Sequence, residues 1–173
     1  MIKNTLNTST LFSSLENTSS RLLQLISSAD SSTINMIPFK DSWSAAQVVA
    51  HITKSNKAIA QSLDMPGKDV ERDPAERTGE LKKMFLNYDT KFKSPEFILP
   101  NQDSYQKEAL IEDLKKSIGQ FIAAGNAVNL SQIISLPAFG EITKYELLHF
   151  VVYHTQRHIH QLEKILESID KRN

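Results

Sequence analysis

The sequence predicts an all-α protein, a four-helix bundle with a short extra helix in one long connection. Apolar residues recur mostly at intervals of three and four positions, which is the spacing of one buried helix face. No stretch alternates strictly between polar and apolar residues over about six positions, as a half-buried strand would. Two segments also carry complete helix-start signals, which set the register of the helices that follow them.

The first predicted helix spans residues 8 to 29. Its many serines lower the helix propensity, but an apolar stripe continues between them and can pack the helix onto a core. The stripe consists of Leu11, Leu15, Leu22, Leu25 and Ile26. Residues 30 to 43, which include Pro38, are expected to form a loop.

The second and last helices begin with the same device, a capping box. Ser44 is expected to cap the second helix while Gln47, three residues on, reaches back to the cap. Thr143 and Glu146 form the corresponding pair at the start of the last helix. The hydrophobic contacts expected beside these caps are Trp43 with Val48 and Ile142 with Leu147.

The chain between these two helices is predicted to hold two further helices and two long connections. In order they are a polar loop at 65 to 78, a short helix at 79 to 91, a connection at 92 to 104 and a long helix at 105 to 124. Four longer helices joined by long connections are typical of a four-helix bundle.

The bulk composition indicates one soluble domain covering residues 1 to 173. Twenty basic residues balance twenty acidic ones, so we expect neither nucleic acid nor an anionic membrane as a partner. The chain has no cysteine, which excludes disulfides, thiolate metal ligands and a cysteine nucleophile. No apolar run is long enough to cross a bilayer and no signal peptide is evident, so a cytoplasmic location is expected.

The last helix carries four of the five histidines, and its periodicity separates them into two faces. His154 and His158 fall on the apolar face, within about 80° of the residues that form its stripe. His149 and His160 fall on the opposite side and should face solvent or a partner. The stripe residues are Leu147, Val151, Leu162 and Ile165.

His154 and His158 are spaced so that two imidazoles on adjacent turns can bind one ion. His51 lies at the edge of the core stripe of the second helix, beside small residues that leave space for a cavity. Three neutral imidazoles would supply part of a metal coordination shell with positions left open. The alternative is that these are buried histidines, each satisfied by its own hydrogen bonds.

The segments WSAAQVVAHI and YHTQRHIHQLEKI together resemble the DinB-like superfamily, which includes the YfiT-type metal-dependent hydrolases. The matching positions are Trp43, His51, His154, His158 and Gln161. The resemblance implies a bundle of four helices and a divalent ion, usually zinc or nickel, held by His51, His154 and His158 with water completing the shell. It also implies a small-molecule substrate, in some members a low-molecular-weight thiol such as bacillithiol or mycothiol.

A site of this kind is expected to support thiol-dependent transfer or hydrolysis. Hydrolysis usually needs a general base as well, and Thr155 stands where a zincin motif has its glutamate. No catalytic residue can therefore be named, unless a carboxylate from residues 65 to 80 folds over the site. Transfer is slightly favoured, because an ion stabilises a thiolate without help from a base.

Three further expectations concern the last helix. Gln161 is expected to bond a ligand or a water beside the metal, and Arg157 to lie at the surface rather than to bind an anionic substrate. A second apolar stripe indicates burial on two sides, against a neighbouring helix or in a homodimer. It comprises Leu148, Val152, Ile159 and Leu166. The non-catalytic alternative is a helical bundle that binds a metal or small ligand without turnover.

Overall fold

The structure is a computed structural model that describes residues 6 to 172. Four long helices pack around one core, with α1 against α4 and α5, and α2 against α4 and α5. A short helix, a 3-10 turn and a two-stranded sheet occupy the connections. In chain order the elements are α1 (Thr8–Ser28), α2 (Ala45–Leu63), α3 (Thr78–Phe85), the turn Glu96–Ile98, α4 (Lys107–Ala127), β1 (Ile133–Leu136), β2 (Gly140–Thr143) and α5 (Lys144–Asp170).

Both predicted capping boxes are present. The Ser44 hydroxyl accepts from the backbone N–H of Gln47 at 3.2 Å, and the Gln47 side chain accepts from the N–H of Ser44 at 3.0 Å. Thr143 and Glu146 make the same reciprocal pair at the start of α5. Each box satisfies amides that the first turn of a helix leaves without partners, so the registers of α2 and α5 begin where the sequence predicts.

The short helix ends earlier than predicted. It was expected to run to residue 91, but α3 ends at Phe85. The side-chain oxygen of Asn87 accepts a hydrogen bond from the N–H of Asp89 at 3.2 Å. The backbone carbonyl of Asn87 accepts one from the N–H of Thr90 at 3.3 Å. These bonds form a turn that competes with continuation of the helix.

The sequence prediction missed the β-hairpin that precedes α5. β1 and β2 pair antiparallel, with Ile133 opposite Thr143 and Leu136 opposite Gly140. Gly140 has a φ of 64°, the left-handed region that glycine adopts most readily in a tight turn. The last residue of β2 is also the cap of α5, so the hairpin fixes the point at which α5 starts.

The apolar face predicted for α5 is buried in the core. All four stripe residues are at most 3% exposed, and Val48, Ile52 and Leu63 on the core face of α2 are fully buried. In the second stripe, Leu148 and Val152 are buried within the chain, since α5 packs against α1, α2 and α3. Between residues 6 and 172, no helix is long and apolar enough to cross a membrane.

Candidate metal centre

Three histidines from two helices meet in the bundle interior. His51 comes from α2, and His154 and His158 come from successive turns of α5. The Nε2 atom of His154 lies 3.2 Å from Nε2 of His51 and 3.0 Å from Nε2 of His158. The three rings each offer one nitrogen, and these nitrogens all lie within 4.8 Å of one another. The side chains are buried, with 1% of His51 and 8% of each of the other two exposed.

The outward nitrogens of two rings have hydrogen-bond acceptors. Nδ1 of His51 lies 3.0 Å from the carbonyl oxygen of Ile98, and Nδ1 of His158 lies 2.8 Å from Oε1 of Gln161. A carbonyl oxygen can only accept, so it places the ring proton of His51 on Nδ1; an amide Oε1 does the same for His158. Both rings then present an unprotonated Nε2 toward His154.

Burial keeps the three imidazoles neutral at neutral pH. It lowers the pKa of His51, and together with the neighbouring histidines it lowers the pKa of His154 well below its ordinary value. Burial is also the main reason that the pKa of His158 falls to about 3. Neutral imidazole is the form that binds a metal ion.

The donor set and two of the three separations between the nitrogens fit a divalent ion. An ion about 2.0 to 2.1 Å from each imidazole nitrogen holds neighbouring nitrogens about 2.9 to 3.4 Å apart. Both separations from His154 Nε2 fall within that range. The unprotonated Nε2 atoms of His51 and His158 both face Nε2 of His154, so three imidazole nitrogens converge in a dry site where a cation can be bound.

A model of the DinB superfamily matches residues 14 to 162, which is most of the chain. The chain belongs to the DinB superfamily. It is also 23% identical to the uncharacterized protein YuaE from Bacillus subtilis strain 168 over 146 residues, which is 80% of this chain and 86% of YuaE.

Two solved structures share the fold of this DinB-superfamily chain at low sequence identity. One is TT2238, a four-helix bundle protein, with a TM-score of 0.60, 16% identity, and coverage of 90% of this chain and 98% of TT2238. The other is YfiT from Bacillus subtilis, described as "a probable metal-dependent hydrolase with an unusual four-helix bundle topology". Its TM-score is 0.62 at 15% identity, covering 98% of this chain and 93% of YfiT. The four-helix-bundle prediction is therefore confirmed.

Aromatic rings pack against two of the three clustered histidines of this DinB-superfamily chain. Trp43, predicted as a core residue, packs on the core and also has its ring centroid 5.1 Å from that of His51. Phe150 stacks on His154 at 5.0 Å, and Phe85 of α3 lies edge-on to His154 at 6.4 Å. These rings exclude water from the histidines, which accounts for the low imidazole pKa values.

Acidic residues of the described chain are not part of the histidine cluster. Among the described residues, the group of candidate metal ligands here contains His51, His154 and His158 and no carboxylate. Glu146 instead binds Arg72, and Glu163 binds Arg21 at 2.8 Å. The loop at 65 to 78 does fold back onto α5, but it reaches the start of that helix through the Arg72 contact.

The other two histidines of α5 lie apart from the cluster, as the periodicity predicts. Nδ1 of His149 lies 3.2 Å from the hydroxyl of Tyr153, and the ring of His160 stacks on Tyr88 at 4.1 Å. Both are half-buried rather than fully exposed. Three of the five histidines are thus gathered in one place, and their role as metal ligands stays a prediction.

Two hydrogen bonds to the histidines of the site were not predicted from the sequence. The Ile98 carbonyl that orients His51 is a backbone group, which any residue at that position would supply. Gln161 was expected to bond a ligand or a water, whereas its side chain bonds the ring of His158 directly. Such partners fix the orientation and tautomer of a ligand histidine.

Replacing Gln161 with Leu is expected to lower the affinity for zinc by about 10- to 100-fold, the usual effect of losing a partner behind a ligand histidine. The His158 ring would lose the acceptor that holds its proton on Nδ1. Competition titration against a chromophoric chelator measures the affinity. Gln156→Leu, on the same helix but without a bond to the cluster, is the matched control, and equal affinities in the two variants would contradict this role for Gln161.

Proposed function

We propose that this chain is a metal-dependent enzyme that transfers a low-molecular-weight thiol to or from a small molecule. The observation that carries the proposal is a buried centre in which three neutral imidazoles converge and no carboxylate takes part, within residues 6 to 172. Three histidine ligands leave coordination positions for other groups, which is typical of catalytic rather than structural metal sites. Zinc or nickel is the proposed ion.

When bound, a divalent ion supplies Lewis-acid chemistry, since it lowers the pKa of water or of a thiol at its open position. The surrounding protein groups hold the imidazoles in place, and burial keeps the rings neutral. The carbonyl of Ile98 and the side chain of Gln161 orient two of the rings. Trp43 packs beside the ring of His51 and Phe150 stacks on the ring of His154, and both aromatic rings shield the histidine beside them from water.

Thiol transfer is favoured over hydrolysis because it asks less of the surrounding residues. Hydrolysis normally uses a positioned base to take a proton from water. Glu146 is occupied by Arg72 and Glu163 by Arg21, so neither is poised as that base. A thiol is acidic enough for a bound metal to ionise it without a base.

Metal-dependent hydrolysis is the second candidate function. It is favoured by the similarity in fold to YfiT, which is itself described as "a probable metal-dependent hydrolase". A shared fold at 15% identity does not imply that two proteins catalyse the same reaction, so hydrolysis ranks below thiol transfer.

A bundle that binds metal without turnover is the non-catalytic alternative. It is favoured by the closure of the site, since none of the three histidines is more than 8% exposed. A catalytic centre must admit its substrate, whereas a stored or structural ion gains from being enclosed.

The test begins with metal analysis of the protein purified under metal-replete conditions, for which we expect about one ion per chain. The loaded protein is then assayed for consumption of small thiols with electrophilic acceptors, and for hydrolysis of simple esters and amides. Metal-dependent thiol consumption supports the proposal. Hydrolysis alone would favour the second candidate, bound metal without either activity would favour the non-catalytic bundle, and a lack of stoichiometric metal would exclude all three.

A further inference from the structure

The end of α3 and the connection that follows it, residues 86 to 106, contact the metal centre at one place each. Phe85, where α3 ends, has its ring edge-on to His154 at 6.4 Å. Further along, the Ile98 carbonyl accepts the hydrogen bond from His51. The end of α3 and the connection together therefore cover histidines of both ligand helices.

The part of this connection nearest α3 has few contacts of its own. Residues 87 to 93 are all exposed, and the backbone bond from Thr90 to Asn87 closes only a single turn. Long connections with exposed backbone and little buried surface belong to the least stable parts of a protein. We call residues 86 to 92 the strap.

Arg157 fastens the strap to α5. Its Nη1 donates to the carbonyl of Phe85 at 3.2 Å and to that of Asn87 at 2.8 Å, and its Nη2 donates to the carbonyl of Thr90. Its guanidinium also lies 4.8 Å from the centroid of the Phe92 ring, which in turn stacks on Phe85 at 5.1 Å. One side chain thus joins both ends of the strap to the helix that carries His154 and His158.

The surface position predicted for Arg157 is correct in part, since the residue is half-buried beneath the strap. A guanidinium suits this task because its donors form a rigid planar fork that reaches several carbonyls at once and stacks on an aromatic ring. A lysine at the same position has neither the fork nor the flat face.

We infer that Arg157 is a positioning residue that holds the strap closed over the metal centre, and that release of the strap opens the route by which metal and small molecules reach the three histidines. The inference rests on the proposed function, because it assigns the strap to a metal centre. It also explains how a site enclosed in the described structure can exchange with solvent. The segment that moves is an exposed connection, held to α5 by the hydrogen bonds of Arg157 and by the stacking of Tyr88 on His160, while α2 and α5 stay packed.

Arg157→Gln is the test variant, and Arg21→Gln is its matched control. Arg21 also binds α5, through an exposed ion pair with Glu163, and its side-chain hydrogen bonds go to Gln24 and Glu163 rather than to the strap. Two rates are measured, hydrogen exchange of the strap amides and transfer of zinc from the loaded protein to a chelator in excess. We expect both rates to rise at least about tenfold in Arg157→Gln, since even one bond from a charged donor shifts an opening equilibrium that far.

Both rates should match those of the wild-type protein in Arg21→Gln. In Arg157→Lys both rates should stay as high as in Arg157→Gln, because a lysine cannot replace the planar fork. The melting temperature of each variant separates strap opening from general destabilisation, because the strap amides must exchange faster while the core amides of α2 and α5 do not. Phe92→Ser removes the stacked ring without altering α5. If Arg157→Gln fails to fold, hydrogen exchange of the strap amides and the core amides is compared in Phe92→Ser instead, where we expect a smaller increase in the strap.

The inference would be overturned if the strap amides of both Arg157→Gln and Phe92→Ser exchanged hydrogen at the wild-type rate. It would also be overturned if hydrogen exchange rose equally in the strap amides and the core amides. If the wild-type protein takes up no zinc, the proposed function fails. Strap exchange in the metal-free protein still decides whether Arg157 holds the strap, so the two failures are distinguishable.

Discussion

His154→Ala is expected to reduce the bound metal from about one ion per chain to almost none. His154 is the central member of the cluster, since its Nε2 is the atom that lies within 3.2 Å of both other Nε2 atoms. Loss of a partner behind a ligand histidine already lowers metal affinity by about 10- to 100-fold, so loss of a ligand should lower it by more than about 100-fold. Metal analysis and chelator competition measure the change.

The controls for this variant lie on the same helix. His149→Ala and His160→Ala remove an imidazole from α5 without touching the cluster, so both should keep their metal. His154→Gln retains most of the side-chain volume and thereby separates loss of a ligand from a cavity in the core. A His154→Ala protein that is folded and still binds one zinc per chain would rule out the centre described above.

The sequence was sufficient to place the three histidines together because each depends on a helix register. The capping boxes fix where α2 and α5 begin, and from those points the helical repeat determines which side chains turn inward. His154 and His158 follow from Thr143, and His51 follows from Ser44. Burial of all three agrees with the registers predicted from those caps.

Features that depend on the path of a connection could not be predicted in this way. The strands of the hairpin have four residues each, too few for an alternating pattern to be distinguished from a loop. The Ile98 carbonyl and the three carbonyls bound by Arg157 are backbone groups, and backbone groups carry no residue-specific signal. Sequence therefore indicated which side chains form the site but not what encloses it.

Glu146→Ala is expected to lower the free energy of unfolding by about 3 kcal/mol, the lower end of the range for breaking a buried ion pair. The Glu146 side chain is fully buried, and Arg72 binds both of its carboxylate oxygens at 2.6 and 2.7 Å. The backbone N–H groups of Thr143 and Arg77 donate to the same carboxylate, each at 2.9 Å. The lower end applies because the Arg72 side chain remains 24% exposed and can be rehydrated in part.

The contribution of Glu146 should also depend on pH. Burial raises the pKa of this carboxyl, but the hydrogen bonds from Arg72 and from the two backbone N–H groups outweigh burial, so the pKa lies below its ordinary value. A carboxyl whose pKa is lower in the folded than in the unfolded state stabilises the fold fully above the unfolded pKa of about 4.3. That stabilisation is lost as the pH falls through the lower, folded pKa.

Urea unfolding at pH 7 and at successively lower pH values, followed by circular dichroism, tests both expectations. Glu146→Gln keeps an acceptor for the cap but loses the charge, so it should be less destabilised than Glu146→Ala and should lack the part of the acid dependence that Glu146 contributes. Glu163→Gln removes an exposed ion pair and should cost at most about 1 kcal/mol. If Glu146→Ala proves no more destabilising than Glu163→Gln, then the hairpin and core packing, rather than this ion pair, hold the loop at 65 to 78 against the start of α5.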